Sequence, residues 1–399
     1  MNRPPFALLG AAPAFAEPLP VGQLYFPSWE RYEAAFRGIF ARQYYTEYGP
    51  LCRQLEERLQ AFLGVRHVIC VTNATIGLMM VADALSLKGK VILPGFTFIA
   101  SANALSWAGL TPVFCDADPD THQISPRHLS SLIDRDVSAI MGVHLWGGTC
   151  DIPALEEIAA RHGIALFFDA AHAFGCTVGT RHIANFGRAE VFSFHATKIL
   201  SAAEGGCICT NDDVLADRLR TMRSSGGATR PVPVDRTING RMSEAQAAIA
   251  LMSLEDYPSN QRHNATLYHA YAGQLASVPG VRLISPSGVT ASNYQYLVCQ
   301  VDEQAFGLSR DEIIRLLQAE NVIARRYFHP GVHRSLPYSQ ASQHLPATDH
   351  LCATCFQLPI GVLVDAEAVE RICDILRRAQ HAAPDIRTAI DRLPPSGKS

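Results

Sequence analysis

At 399 residues, with 48% hydrophobic and 18% charged, the chain has room for two or three cores and the make-up of an ordinary water-soluble globular protein. A net charge of −3 offers no basic footprint for nucleic acid or an anionic membrane, and no apolar run approaches the roughly 18 residues that a membrane span requires. Eleven cysteines without a framework pattern point to unpaired thiols in a reducing compartment, the cytoplasm. Cys352-Ala-Thr-Cys355 has the spacing of a metal or redox pair, but no second pair or histidine cluster accompanies it, so no metal is expected.

Residues 1–45 read as an N-terminal arm. Residues 6–16 are apolar and end in Ala14-Phe15-Ala16, wording close to a signal-peptidase site. Gly10 and Pro13 interrupt the run and only Arg3 adds positive charge, so an arm packing on the body is expected rather than a secretory leader. From about Leu51 helical and extended patterns alternate. Helical spacing covers 54–62, 76–85, 100–107 and 153–162; short buried strands are expected at 68–71, 91–93, 112–114, 139–143, 164–168 and 191–194. This alternation argues for the α/β class, a mostly parallel central sheet covered by helices on both faces, in a large domain over 46–255. Gly226, Gly227, Pro231 and Pro233 mark a loop before a helix near Ser243, and a second long helix is expected at 260–276. A strand at 294–301, a helix at 309–320 capped by Ser309, a strand at 322–327 and a helix at 366–378 form a smaller α+β domain over 256–393. The tail 394–399 reads as disordered.

Three segments carry chemistry. Thr72-Asn73-Ala74-Thr75 joins a strand to a helix, where small and hydroxyl residues leave backbone amides free for a phosphate; a plain N-cap is the simpler alternative. Asp169-Ala170-Ala171-His172 follows an apolar strand, where an unpaired carboxylate is costly and a cationic ring nitrogen would offset that cost; an N-cap for the next helix is the alternative for Asp169. Ser193 and His195 alternate with Phe192 and Phe194, so the polar pair shares one face, and Lys198 follows three residues later, ahead of Glu204-Gly205-Gly206. Carboxylate, hydroxyl and lysine at strand ends are what pyridoxal phosphate chemistry needs: an amine to hold the aldehyde and an acid to keep the pyridine nitrogen protonated. Phe98, after Pro94-Gly95-Phe96-Thr97, is either core or a ring stacked on the pyridine.

Six stretches stand in order: 73–78, 94–98, 169–173, 193–198, 204–206 and 239–244. The series resembles the DegT/DnrJ/EryC1/StrS family of sugar-nucleotide aminotransferases, in the fold-type I pyridoxal-phosphate superfamily, over residues 45–379. The resemblance implies pyridoxal 5′-phosphate as cofactor, Lys198 as Schiff-base lysine and Asp169 as partner of the pyridine nitrogen. It implies His172 near the cofactor's phenolic oxygen, Phe98 stacked on one ring face, Ala171 on the other, and Ala74, Thr75 and Ser193 on the phosphate. Asn239 matches a residue that reaches the phosphate of the neighbouring subunit, which implies a homodimer with shared active sites. Arg241, Arg325 and His329 are candidates for substrate contacts. A lysine at 198 argues against the branch of the family that carries histidine there and dehydrates. The expected reaction is ping-pong transfer of an amino group from L-glutamate to a nucleotide-linked keto sugar, the wording of 169–175 and 195–198 pointing to C4 of a 4-keto-6-deoxyhexose. A cyclitol or other non-sugar ketone as acceptor, a pyridoxal phosphate lyase or decarboxylase, and a non-catalytic cofactor-binding regulator are the alternatives. The segment 21–48, with Trp29 and Tyr44-Tyr45, and Trp146-Gly147-Gly148 in place of Tyr-Gly depart from the family pattern.

Overall fold

The computed structural model describes residues 6–224, 228, 230–340 and 343–392. The tail expected to be disordered, and Gly226 and Gly227 of the expected loop, lie outside the described residues. Helix α1 (Trp29–Arg42) precedes α2 (Pro50–Leu63), which opens on a proline, buries Cys52, Leu55, Leu59 and Leu63 on one face, and closes at Gly64 with a left-handed φ of 62°. There follow β1 (His67–Val71), α3 (Ala74–Ala84), β2 (Lys90–Pro94), α4 (Ile99–Trp107), β3 (Thr111–Cys115), α5 (Pro126–Leu132), β4 (Val137–Val143), α6 (Ile152–His162) and β5 (Ala165–Asp169). A short hairpin, β6 (Thr177–Val178) and β7 (Arg181–His182), leads to β8 (Glu190–Ser193), β9 (Gly206–Thr210) and α7 (Asp213–Arg223).

The large sheet has seven strands in the order β1-β9-β8-β5-β4-β2-β3. The neighbours β3, β2, β4, β5 and β8 run parallel, and β9 alone is antiparallel to both β8 and β1. Its strands are continuous apolar runs because both faces are covered: one packs Leu55, Leu59, Phe168 and Phe192, the other Leu78, Leu93, Phe167 and Val191. The carboxyl ends of β1, β2, β4, β5 and β8 therefore open on one edge, and antiparallel β9 begins there.

Helix α8 (Glu244–Leu275) differs from expectation. It starts after Ser243 as expected but is one helix of 32 residues running through Pro258, where two helices were expected. A proline forfeits one helical hydrogen bond, but Ala247, Ala250 and Leu254 before it bury in the large core, and Leu267, Tyr271 and Leu275 after it in the small one. Packing on both sides outweighs the local break, and the expected domain boundary at 256 falls inside this shared helix. The smaller sheet, β10 (Val281–Leu283), β11 (Leu297–Val301), β12 (Arg325–Arg326) and β13 (Cys355–Leu358), is antiparallel in the order β10-β11-β13-β12. It is backed by α10 (Arg310–Ala319) and α12 (Ala366–His381), with the short α9 (Glu303–Phe306), α11 (Pro346–Thr354) and α13 (Ala383–Asp391) around it. Ser309 and Glu312 form a capping box at α10, as the cap at Ser309 predicts.

The N-terminal segment is a strap across the molecule. Phe6 is buried in the small core, the amides of Ala7 and Ala14 both donate to the Glu320 carboxylate at 2.7 Å, and Leu19 bridges to Val322. The strap then crosses to the large sheet, where Gln23 N donates to Thr197 O at 3.1 Å. Helix α1 is tied to α8 by Arg31, which pairs with Glu255 and Asp256, the latter also accepting the Tyr25 hydroxyl.

Candidate active site

The carboxyl edge of the large sheet and the face of the small sheet enclose a cavity of about 590 Å³. Its lining brings together Ala74, Thr75, Phe98, Asp169, Ala171, His172, Ser193, Lys198 and Arg325, nine of the residues singled out in the sequence. Asn239, Arg241 and His329 are not part of it. Asn239 is exposed beside Ser224, Arg241 pairs with Glu47 at 3.0 Å, and His329 is exposed against Arg310. A larger cavity of about 1010 Å³ lies on the small domain. Its arginines are already paired, Arg282 with Asp120 and Gln300, Arg387 with Glu303 and Glu312, so it presents no uncommitted charge.

The chemistry of the first cavity follows from its strands. Asp169 ends β5; its Oδ2 accepts from Ser101 Oγ at 2.7 Å and its Oδ1 from Ala171 N at 3.1 Å. Residues 170–172 form a turn, so Asp169 caps no helix. Burial raises its carboxyl above the ordinary range, against the opposing pull of Ser101, Ala171 and Lys198. His172 is 5% exposed, stacks on Trp146 at 5.4 Å, and has no partner at Nδ1. Burial holds its imidazole well below the usual pKa, with the Lys198 charge adding to the effect, so the ring is neutral at physiological pH. Phe98 is 61% exposed, which makes it a cavity wall rather than core.

Asn73 caps α3 by accepting Ile76 N at 2.9 Å, and the amides of Ala74 and Thr75 ahead of it have no partner among the described residues. Gly206 lies directly behind, where a Cβ would stand 2.6 Å from Phe192 O and 2.9 Å from Ala74 N. The cavity thus holds a free helix N-terminus for an anion, a buried carboxylate lacking a cation, an imidazole with an open nitrogen, an exposed ring and a lysine. A phosphorylated pyridine aldehyde meets each of these needs, so the residues fit the cofactor expected from the sequence.

Residues 29–377 match the DegT/DnrJ/EryC1/StrS aminotransferase family. The chain belongs to that family. It is accordingly a pyridoxal-phosphate-dependent transaminase. Over 371 residues it is 33% identical to a dTDP-4-amino-4,6-dideoxy-D-glucose transaminase of Shigella dysenteriae, which covers 90% of this chain and 99% of that protein. A protein of the same description from Escherichia coli is 30% identical over 365 residues, covering 90% and 98%. Among solved structures, DesI in the presence of its TDP-sugar product superposes with a TM-score of 0.91 at 38% identity, over 97% of this chain and 99% of that one.

Sequence reasoning gave no role to Ser101, Thr197 or Tyr296, which also build the site, and read Tyr327 only within a stretch, 325–330, expected to shape the acceptor pocket. Their signal is spatial: Ser101 lies on α4 opposite Asp169, and Tyr296 and Tyr327 come from the small domain. The described residues also place Cys52, Glu56 and Cys70 within 4.8 Å of one another, but Glu56 is committed to Arg223, Tyr48 and Cys70 N. The Cys352 thiol donates to Phe328 O at 3.4 Å.

Proposed function

We propose that this transaminase moves an amino group from L-glutamate to the C4 ketone of a 4-keto-6-deoxyhexose carried on thymidine diphosphate, by a ping-pong mechanism. The observation that carries the reading is the meeting of Lys198, Asp169, His172 and the α3 N-terminus in one cavity. The names of the relatives at 30–38% identity supply the class of sugar.

Bound in the cavity, pyridoxal phosphate would supply an aldehyde for amines to join and an electron-poor ring to take up the electron pair left when a proton departs. Lys198 would hold the aldehyde until the donor amine displaces it; its freed amine then takes the proton from the donor's α-carbon and returns it one atom further along. Asp169, buried at the end of β5, would hold a proton on the ring nitrogen. Neutral His172 offers Nδ1 to the phenolic oxygen. Ala74, Thr75 and Ser193 would receive the phosphate, Phe98 would cover one ring face and Ala171 would leave room at the other. Arg325, exposed at the rim, is placed for the acceptor's diphosphate or the donor's carboxylate. Exposed Asn239, off its own cavity, fits a residue serving the neighbouring subunit of a homodimer. Eleven unpaired, buried cysteines favour a reducing compartment such as the cytoplasm.

The test is the visible spectrum of the protein loaded with pyridoxal phosphate. The band should bleach with L-glutamate and return with the dTDP-linked 4-keto sugar. A band indifferent to glutamate overturns the donor. A band restored by a cyclitol ketone and not by the keto sugar overturns the acceptor.

A further inference from the structure

Lys198 must do more than reach the cofactor. As a proton carrier its backbone has to stay fixed while its long side chain swings. The two residues beside it are both bonded from elsewhere in the molecule. Thr197 O accepts Gln23 N from the strap, and Ile199 N donates to Gln295 Oε1 at 2.5 Å. Thr197 Oγ1 lies 2.9 Å from the Tyr296 hydroxyl and 2.9 Å from His195 Nδ1.

The donors in this chain can be assigned. His195 Nδ1 accepts Thr197 N at 3.2 Å, so it is the unprotonated ring nitrogen, and the Thr197 hydroxyl must also donate to it. The threonine oxygen is then an acceptor for Tyr296 O–H. Tyr296 is 3% exposed, and its ring lies beneath Lys198 Nζ, 5.0 Å from the centroid. The same ring stands edge-on to His172 at 4.9 Å. One small-domain side chain therefore touches the lysine, the histidine and the residue before the lysine. Its hydroxyl fixes the backbone from which Lys198 swings, and its π face gives the ammonium a resting place after it has taken a proton.

We propose that Tyr296, through its hydrogen bond to Thr197, is the positioning residue that aims Lys198 during proton transfer. The proposal rests on Lys198 being the cofactor-bearing amine. It predicts that the hydroxyl matters to the transfer step and not to donor binding.

The experiment uses the full chain loaded with pyridoxal phosphate. It compares Tyr296→Phe, Thr197→Val, the double variant and Thr197→Ser in the half-reaction with ordinary and α-deuterated L-glutamate. Tyr296→Phe keeps the ring and Thr197→Val keeps the shape, so folding is checked by melting temperature alone. Each should lower the half-reaction rate about 10–100-fold, with KM for glutamate within about twofold and a larger deuterium isotope effect. Each single variant breaks the Tyr296–Thr197 bond, and Thr197→Val breaks the one to His195 as well, so the double variant should be no slower than the slower single. Thr197→Ser, which keeps the hydroxyl, should restore the rate. Unchanged rates and isotope effects in both single variants overturn the proposal, as does a loss confined to KM. Borohydride reduction followed by peptide mass spectrometry separates this outcome from a failure of the underlying reading. A label on Lys198 with unchanged variant kinetics rejects only the role of Tyr296; no label on Lys198 rejects the assignment of the lysine itself.

Discussion

Asp169 pays for its place at the end of β5. Burial raises its carboxyl above the ordinary range, so the folded state holds the proton more tightly than the unfolded chain does. Such a group gives its full stabilisation below the unfolded pKa and loses it as pH rises through the folded pKa. In the cofactor-free protein burial therefore disfavours the charged form of Asp169, and a protonated ring nitrogen would turn that charge into a favourable pair. Asp169→Asn has the same shape and no charge. Without cofactor, it should melt no lower than the parent protein at pH 7, with its advantage shrinking as pH falls into the carboxylate range. With cofactor, its transamination rate should drop about 10²–10³-fold, the usual cost of removing one preorganised charge. Melting curves across pH and a half-reaction assay check both parts. A variant that is less stable yet active would make Asp169 a clip for the turn at Ala171.

Gly175 shows how an element's packing can hide inside a chemical motif. It closes the stretch that begins at Asp169, but its reason is the helix behind it. Its φ is 73°, and a Cβ there would stand 2.0 Å from the Tyr257 hydroxyl of α8, which donates to Phe174 O at 3.3 Å. Gly175→Ala should cost about 2–4 kcal/mol through backbone strain and overpacking, read as a lower denaturation midpoint, and should shift the turn that carries His172. Elements with a strong local pattern were legible in the sequence: β1 to β5, β8, α3, α4, α6 and α10 stand within a few residues of their expected places. Strand β9 (Gly206–Thr210) was not, because it opens on a glycine pair that reads as part of the chemical motif and its antiparallel direction is set by partners on both sides. The strand expected at 322–327 shrinks to Arg325–Arg326, since only these two residues pair with β13. The site divides in the same way. Lys198, Asp169 and His172 follow strand ends and could be read. Ser101 and Tyr296 act across 68 and 99 residues of chain, and no local pattern announces such contacts.

At the scale of the whole molecule, the strap joins three bodies: the small domain at Glu320 and Val322, the loop of Lys198 at Thr197, and α8 through Tyr25 and α1. Its anchor is one side chain. Glu320 is 3% exposed and takes two backbone amides, Ala7 on Oε1 and Ala14 on Oε2, each at 2.7 Å. Charge-assisted bonds of this kind contribute more than neutral ones, but the freed amides lie near the surface and can turn to water, which limits the loss. Glu320→Ala should therefore cost about 1–3 kcal/mol, with Glu320→Gln falling between because it keeps one acceptor oxygen. The functional consequence reaches further than the stability change. Once residues 6–19 loosen, Gln23 no longer presses a fixed amide on Thr197 O, and the two residues flanking Lys198 lose one of the bonds that hold them from outside the loop. Limited proteolysis should cut the N-terminal segment of Glu320→Ala faster than that of the parent, and the half-reaction rate should fall in step while the cofactor stays bound. Fast cleavage with an unchanged rate would confine the strap to a structural role and leave Tyr296 and Gln295 to hold the residues that flank the lysine.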